Sequence, residues 1–168
     1  VDTMAHMGSL PSLSIVVMPC SLDYYYPIIN KKLLEKIYHE GLALSEYESH
    51  MKATPYSFIL RNRIIVGLAD CVVVAEAEEN SGSSSTLSLS LQMGKPTYVL
   101  PHRKGESEAT NQALEEGVVK ALFSVQTLLK ELNVAPVSIQ NSNDEFLNFC
   151  QRHPRYEDAV KEWGHKVF

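Results

Sequence analysis

Residues 56–85 read YSFILRNRIIVGLADCVVVAEAEENSGSSS, and this stretch decides the fold. Its first part predicts a helix from about Ser57 to Ala69, with Ile64, Ile65 and Leu68 as its core face. Cys71 to Ala75 is a short apolar strand, and upstream the continuous apolar run Ser14 to Met18 suits a parallel strand buried on both faces. An acidic loop follows, and Ser81-Gly82-Ser83 then leads into a second helix ending near Gly94. Helix, strand, loop and helix in this order form half of an α/β layer. Two points within it suit anions: the Phe58-x-x-Arg61-Asn62-Arg63 segment and the Ser81-Gly82-Ser83 turn.

Working outward, the same alternation recurs. Apolar runs at Ser14–Met18, Leu42–Glu46, Thr97–Leu100 and Ala121–Phe123 read as strands. Helical patterns fall before the first of these, from Ile28 to Glu40, around Thr110–Leu114, and from Val125 to Leu132. Gly41 reads as a helix stop. The predicted fold class is α/β: a Rossmann-like parallel sheet with helices on both faces and ligands at the carboxyl ends of the strands. Residues 1–133 are assigned to this domain, and 134–143, polar with one proline, to a linker. Two short helical patterns follow in residues 144–168.

The chain has 168 residues, 45% hydrophobic and 21% charged, enough for one domain with a core and a small appendage. Its formal net charge of -5 supplies no global basic field, so nucleic-acid binding would rest on a local patch. Cys20, Cys71 and Cys150 lie far apart without a CxxC pair, which suits a reducing, cytoplasmic setting, and Cys71 reads as a core residue. No apolar run approaches the roughly 18 residues of a membrane span, and no membrane association is expected. No secretory leader pattern is visible. The sequence opens Val1-Asp2-Thr3-Met4, without an initiator methionine or a leading strand, so an N-terminal truncation is expected.

Serines before a helix either cap it or, with the exposed N–H groups of its first turn, hold a phosphate. Both readings apply to Ser81, Gly82 and Ser83. Arg61 and Arg63 flank Asn62 in a pattern suited to phosphate or base edges. Arg61 falls on the core side of its helix, where pairing with Glu46 or Glu76 is the structural alternative, and Arg63 is the more solvated. Phe58 and the tyrosines 24, 25, 26 and 56 are either core or a platform for unstacked bases. Thr110 and Asn111 open a helix and either cap it or donate to the same anion. The six histidines show no HExxH or HxH spacing, and there is no GxSxG elbow. Neither a metal, a cofactor nor a catalytic residue is expected, although Glu46, Glu76 and Glu78 have acid–base chemistry.

Several strings, taken in order, resemble the DNA-processing protein A family, also called DprA or Smf. Against GxGLDxxYPxxN the chain has Leu22, Asp23, Tyr26, Pro27 and Asn30, without the glycines. LLSEYP is met by Ala43-Leu44-Ser45-Glu46-Tyr47 with Glu48 in place of proline. Phe58 to Asp70 follows FPxRNRIIAGLSD, Val74 to Leu87 follows VVEAxxxSGSxxTA, and Ala109 to Val118 follows GTNxLIxxGA. Asp2, Ala5, His6 and Leu10 would continue a GID-x-x-AH-x-x-AL segment.

The resemblance covers about residues 1–132. It implies a non-enzymatic protein that binds and protects incoming single-stranded DNA during natural transformation, loads RecA, and forms a homodimer. Carried over by position, the DNA-binding residues are Phe58, Arg61, Asn62, Arg63, Ser81, Gly82, Ser83, Thr110 and Asn111. Lys52 is the nearest substitute for a basic residue before the Phe. The resemblance also implies that the family's first strands precede Val1, and that residues 144–168 begin a winged-helix-like module of epsilonproteobacterial type. The alternative is a nucleotide-binding or nucleoside-monophosphate-hydrolysing enzyme of the wider Rossmann-like superfamily, whose PGGxGTxxE signature is absent.

Overall fold

A computed structural model describes residues 2–9 and 14–134; the expected linker and the two C-terminal helical patterns lie outside them. The elements are α1 (Asp2–Ser9), β1 (Ile15–Val17), a 3-10 turn (Ile28–Asn30), α2 (Lys31–Glu40), β2 (Leu42–Leu44), α3 (Pro55–Leu68) and β3 (Val72–Val74). They continue with α4 (Gly82–Gln92), β4 (Thr97–Val99), α5 (Glu108–Glu115), β5 (Lys120–Ala121) and α6 (Val125–Glu131). Residues up to Ser124 form one compact unit, and α6 belongs to a second.

Among the described residues all strand pairs are parallel, as the alternation of strands and helices predicts, but they form two sheets. β1 pairs with β2, Ile15 opposite Leu42 and Val17 opposite Leu44. The second sheet has the order β3-β4-β5, with Val72 opposite Thr97 and Val99 opposite Ala121. β1 and β3 therefore each keep one edge without a strand partner among the described residues, and both line the same cleft. Ile15 (44% exposed) is the open face of a strand expected to be buried on both sides, and Val73 (45%) of β3 is open likewise.

Each sheet has its own core. Val16, Met18, Cys20, Leu34 and Ile37 fill the space between β1 and α2. Val66, Val72, Val74, Leu87, Val99 and Ala113 fill that between β3, β4 and helices α3 to α5.

The helix ends follow local chemistry. Thr54 caps α3 in a reciprocal box: its hydroxyl accepts from Ser57 N–H, while Ser57 Oγ accepts from Thr54 N–H, and Pro55 sits in the first turn. Gly41 ends α2 through close packing. Its φ is -120°, and a Cβ there would collide with the Ser14 carbonyl oxygen, which accepts from Leu42 N–H at 2.9 Å. The glycine lets α2 turn into β2 against the start of β1.

The expected core face of α3 needs correction. Val66 and Ser57 are buried, whereas Ile65 is 37% and Leu68 58% exposed. Apolar residues surround this helix on every side, so periodicity does not single out the stripe that packs on α4. Cys71 is likewise half-buried at the cleft, outside the core.

Candidate nucleic-acid interface

The cleft between the two sheets has a volume of about 570 Å³. Its apolar floor includes Ile15, Ile65 and Val73. At the carboxyl ends of β1 and β3 it becomes polar, where Phe58, Arg61, Asn62, Gly82, Ser83 and Thr86 converge. The cleft thus brings together five residues singled out from sequence: Phe58, Arg61, Asn62, Gly82 and Ser83.

Arg61 projects from the second turn of α3 toward the end of β1. Its Nη1 donates to the carbonyl oxygen of Val17 at 2.6 Å, and Nε is buried without a hydrogen-bond partner. The ion pairs among the described residues do not include it, so the expected pairing with Glu46 or Glu76 is absent. Glu46 instead engages Arg63, an exposed ion pair away from the cleft. Burial pulls the Arg61 pKa below its ordinary value, against the opposing influences of Asp2 and Tyr47. A half-buried guanidinium outside any ion pair is suited to an anion.

The Phe58 ring lies 5.7 Å from the Arg61 guanidinium carbon. On its other side it meets Tyr26 edge-on, with ring centroids 5.3 Å apart and planes at 64°. Tyr24 and Tyr25 pack on the β1–α2 core instead, and Tyr56 is exposed. The tyrosine loop is fastened by Asp23, whose Oδ2 accepts from Ser49 Oγ at 2.7 Å and His50 N–H at 3.0 Å. Those bonds hold the Asp23 carboxyl below its usual range, the Ser49 hydroxyl first.

Asn62 positions a helix. Its Nδ2 donates to Thr86 Oγ1 at 2.8 Å, and Thr86 Oγ1 donates to the Gly82 carbonyl at 3.0 Å, tying α3 to the first turn of α4. Ser81 is the N-cap of α4, its hydroxyl accepting from Ser84 N–H at 3.1 Å. The N–H groups of Gly82 and Ser83 stand in that first turn, where helix geometry provides no acceptor. Gly82 and Ser83 are both exposed and line the cleft.

Thr110 and Asn111 shape the loop behind the cleft. Thr110 is fully buried, and its hydroxyl bonds the Ser107 carbonyl at 2.8 Å and Ser107 Oγ at 2.7 Å. Ser107 Oγ in turn accepts from Ala77 N–H at 2.8 Å, and Ser107 adopts a left-handed φ of 52°. Asn111 Nδ2 donates to the carbonyls of Glu106 and Arg103. Lys52 is exposed and does not line the cleft.

Four titratable residues share the cleft with Arg61: Asp2, His6, Cys71 and Glu76. His6 Nδ1 lies 2.7 Å from Ser14 Oγ, and burial lowers its pKa, which keeps it neutral near pH 7. No signal in the sequence pointed to His6 as a cleft neighbour of Arg61 beyond its place in a family motif. Among the described residues no group of three His, Cys, Asp or Glu is placed to hold a metal, and no helix is long and apolar enough to cross a membrane.

A sequence profile of the DNA recombination-mediator protein A family matches residues 1–133. The chain belongs to that family. Among family relatives, it is 36% identical over 135 residues to DNA processing protein DprA of Streptococcus pneumoniae, covering 78% of this chain and 48% of that protein. Protein Smf of Synechocystis is 32% identical over 151 residues, covering 88% of this chain and 38% of the relative. The fold matches DNA processing protein A from Helicobacter pylori, a structure described for its single-stranded DNA binding mode, with a TM-score of 0.74 and 39% identity over 79% of this chain and 61% of that one. It also matches the X-ray structure of S. pneumoniae DprA, with a TM-score of 0.71 and 35% identity, covering 78% of this chain and 47% of that one. The chain spans about half the length or less of these two curated relatives.

Proposed function

We propose that this chain binds single-stranded DNA through the polar end of its inter-sheet cleft, as part of a recombination mediator of the family to which it belongs. The observation that carries this reading is Arg61, half-buried beside Phe58 in the cleft that Gly82 and Ser83 also line, its Nε without a partner and no ion pair made by its guanidinium. A guanidinium, two open backbone N–H groups and an aromatic face suit a flexible phosphodiester with unstacked bases, gripped without sequence selection. The family's description as a recombination mediator and the H. pylori relative's single-stranded DNA binding mode support it.

In this reading Phe58, Arg61, Gly82 and Ser83 meet the strand directly. Asn62, Ser81, Thr110 and Asn111 hold the surrounding backbone, and Arg63 and Lys52 add charge along the path. The chain performs no bond-breaking chemistry. It acts in the cytoplasm as a homodimer, protects incoming DNA during natural transformation and passes the strand to RecA. Residues 1–133 are the binding domain, 134–143 a linker and 144–168 part of a separate small module.

The test is oligothymidine binding at two salt concentrations. Binding that weakens with salt and differs little among unstructured oligonucleotides of other sequence supports the reading. No binding at low salt contradicts it.

A further inference from the structure

Asp2, His6 and Arg61 line both the main cleft and a second cavity, of about 130 Å³, at the carboxyl end of β1. This shared lining places an imidazole in the same polar region as the guanidinium. His6 is half-buried. Its Nδ1 lies 2.7 Å from Oγ of Ser14, itself buried. Its Nε2 makes no hydrogen bond among the described residues. Histidine is the side chain whose ordinary pKa lets its charge change between about pH 5 and 8. A neutral His6 therefore leaves a latent positive charge in the cleft.

The surroundings of the ring accept either charge state. A hydroxyl both donates and accepts, so Ser14 Oγ serves Nδ1 whether the ring is neutral or charged. The imidazolium then presents Nε2–H as an unused charge-assisted donor. Burial lowers the His6 pKa most, Asp2 raises it, and Arg61 lowers it. A phosphate at Arg61 offsets the repulsion between the two cations and adds an attraction of its own, and both changes favour the charged ring. Other titratable groups line the same walls. Asp2 and Glu76 are exposed and form no ion pair among the described residues. Burial pushes the Cys71 thiol up, which keeps it protonated, and Tyr26 lines the smaller cavity.

We infer that His6 is a second, proton-dependent cation of this cleft: a phosphate held at Arg61 draws a proton onto His6, and the chain grips an anionic strand more tightly as the solution turns acidic. The proton comes from solvent, and no bond of the strand changes. The inference rests on the proposed single-stranded DNA binding and adds a proton to its stoichiometry. Its sign follows from linkage. The bound state holds more protons than the free state, so affinity rises as pH falls through the His6 titration.

The experiment titrates the 168-residue chain with oligothymidine at about pH 5 and about pH 8, at one low salt concentration, with the folded state checked by circular dichroism. Oligothymidine itself has no group that ionises in this range. Wild type is expected to bind about tenfold more tightly at the lower pH, the effect of a one-unit rise in the His6 pKa on binding. His6→Gln should bind alike at both and stay close to wild type at the higher pH. The His6 ring signal of wild type, followed by NMR, needs no variant: its titration midpoint should rise when the strand is bound, and an unmoved or lowered midpoint would overturn the inference. Equal pH dependence in wild type and His6→Gln would assign the effect to other groups and overturn it. An equal loss at both pH values in the variant would overturn it too, making His6 part of the scaffold. Binding by wild type that ignores pH would overturn the proton linkage and leave strand binding standing. Absence of binding at both would overturn the strand reading and the inference together.

Discussion

Arg61 Nη1 donates to the Val17 carbonyl oxygen at 2.6 Å, a bond that joins α3 to the end of β1 across 44 residues of chain. The bond satisfies one donor of a half-buried cation whose Nε is buried and unpartnered. Burying an unpaired charge opposes folding, and hydrophobic replacement of buried ionic groups is often neutral or stabilising. Arg61→Met is therefore expected to leave unfolding stability within about 1 kcal/mol of wild type or to raise it. Denaturant unfolding checks this. A loss of several kcal/mol would show that Arg61 is retained for the fold.

The Glu46–Arg63 pair is exposed, and such pairs contribute ~0–1 kcal/mol. Glu46→Gln should change stability by less than about 1 kcal/mol. It should strengthen oligonucleotide binding at low salt by releasing Arg63, and the gain should vanish at high salt as the charge is screened. Titrations at two ionic strengths check both halves.

Thr110 is carried by the fold. Thr110→Val removes the hydroxyl that serves Ser107, leaving buried partners short of a bond, at a cost of ~1–3 kcal/mol. Oligonucleotide affinity per folded molecule should hold. A stable Thr110→Val chain with lost affinity would instead place the hydroxyl on the ligand.

Asp23 ties the tyrosine loop to residues 49 and 50, and its folded pKa lies below its ordinary value because it accepts from Ser49, His50 and Ser21. A carboxyl with a depressed folded pKa contributes stability above its unfolded value and loses it as pH falls through the folded one. Stability should fall from about pH 4 downward, and Asp23→Asn should flatten that limb. Thermal unfolding across the acid range checks the sign; an unchanged limb would contradict it.

Much of the fold was legible because strands and helices here carry local signals. Val72–Val74 is a continuous apolar run, Gly41 and Pro55 punctuate, and Ser81 caps α4 as its spacing before an apolar helix implies. What was not legible depends on contacts between distant residues. The face of α3 is hidden in a sequence apolar on all sides, and only packing on α4 selects Val66 over Ile65 and Leu68. On paper Glu46 or Glu76 is the candidate partner of Arg61, and Arg63 is the more solvated residue. The geometry gives Glu46 to Arg63 and a backbone carbonyl to Arg61. For Thr110 the sequence leaves a cap and a ligand donor equally open, and only the fold shows its hydroxyl buried against Ser107, just as only the fold shows Asn62 bonded to Thr86 while lining the cleft.

The most direct test of the account is the affinity of oligothymidine for wild type and Arg61→Met at low salt, each with its folded state verified by circular dichroism. The account predicts salt-sensitive binding by wild type and at least about a tenfold loss in the variant, the scale of a lost charge-assisted contact. Equal binding by the two folded proteins would contradict it.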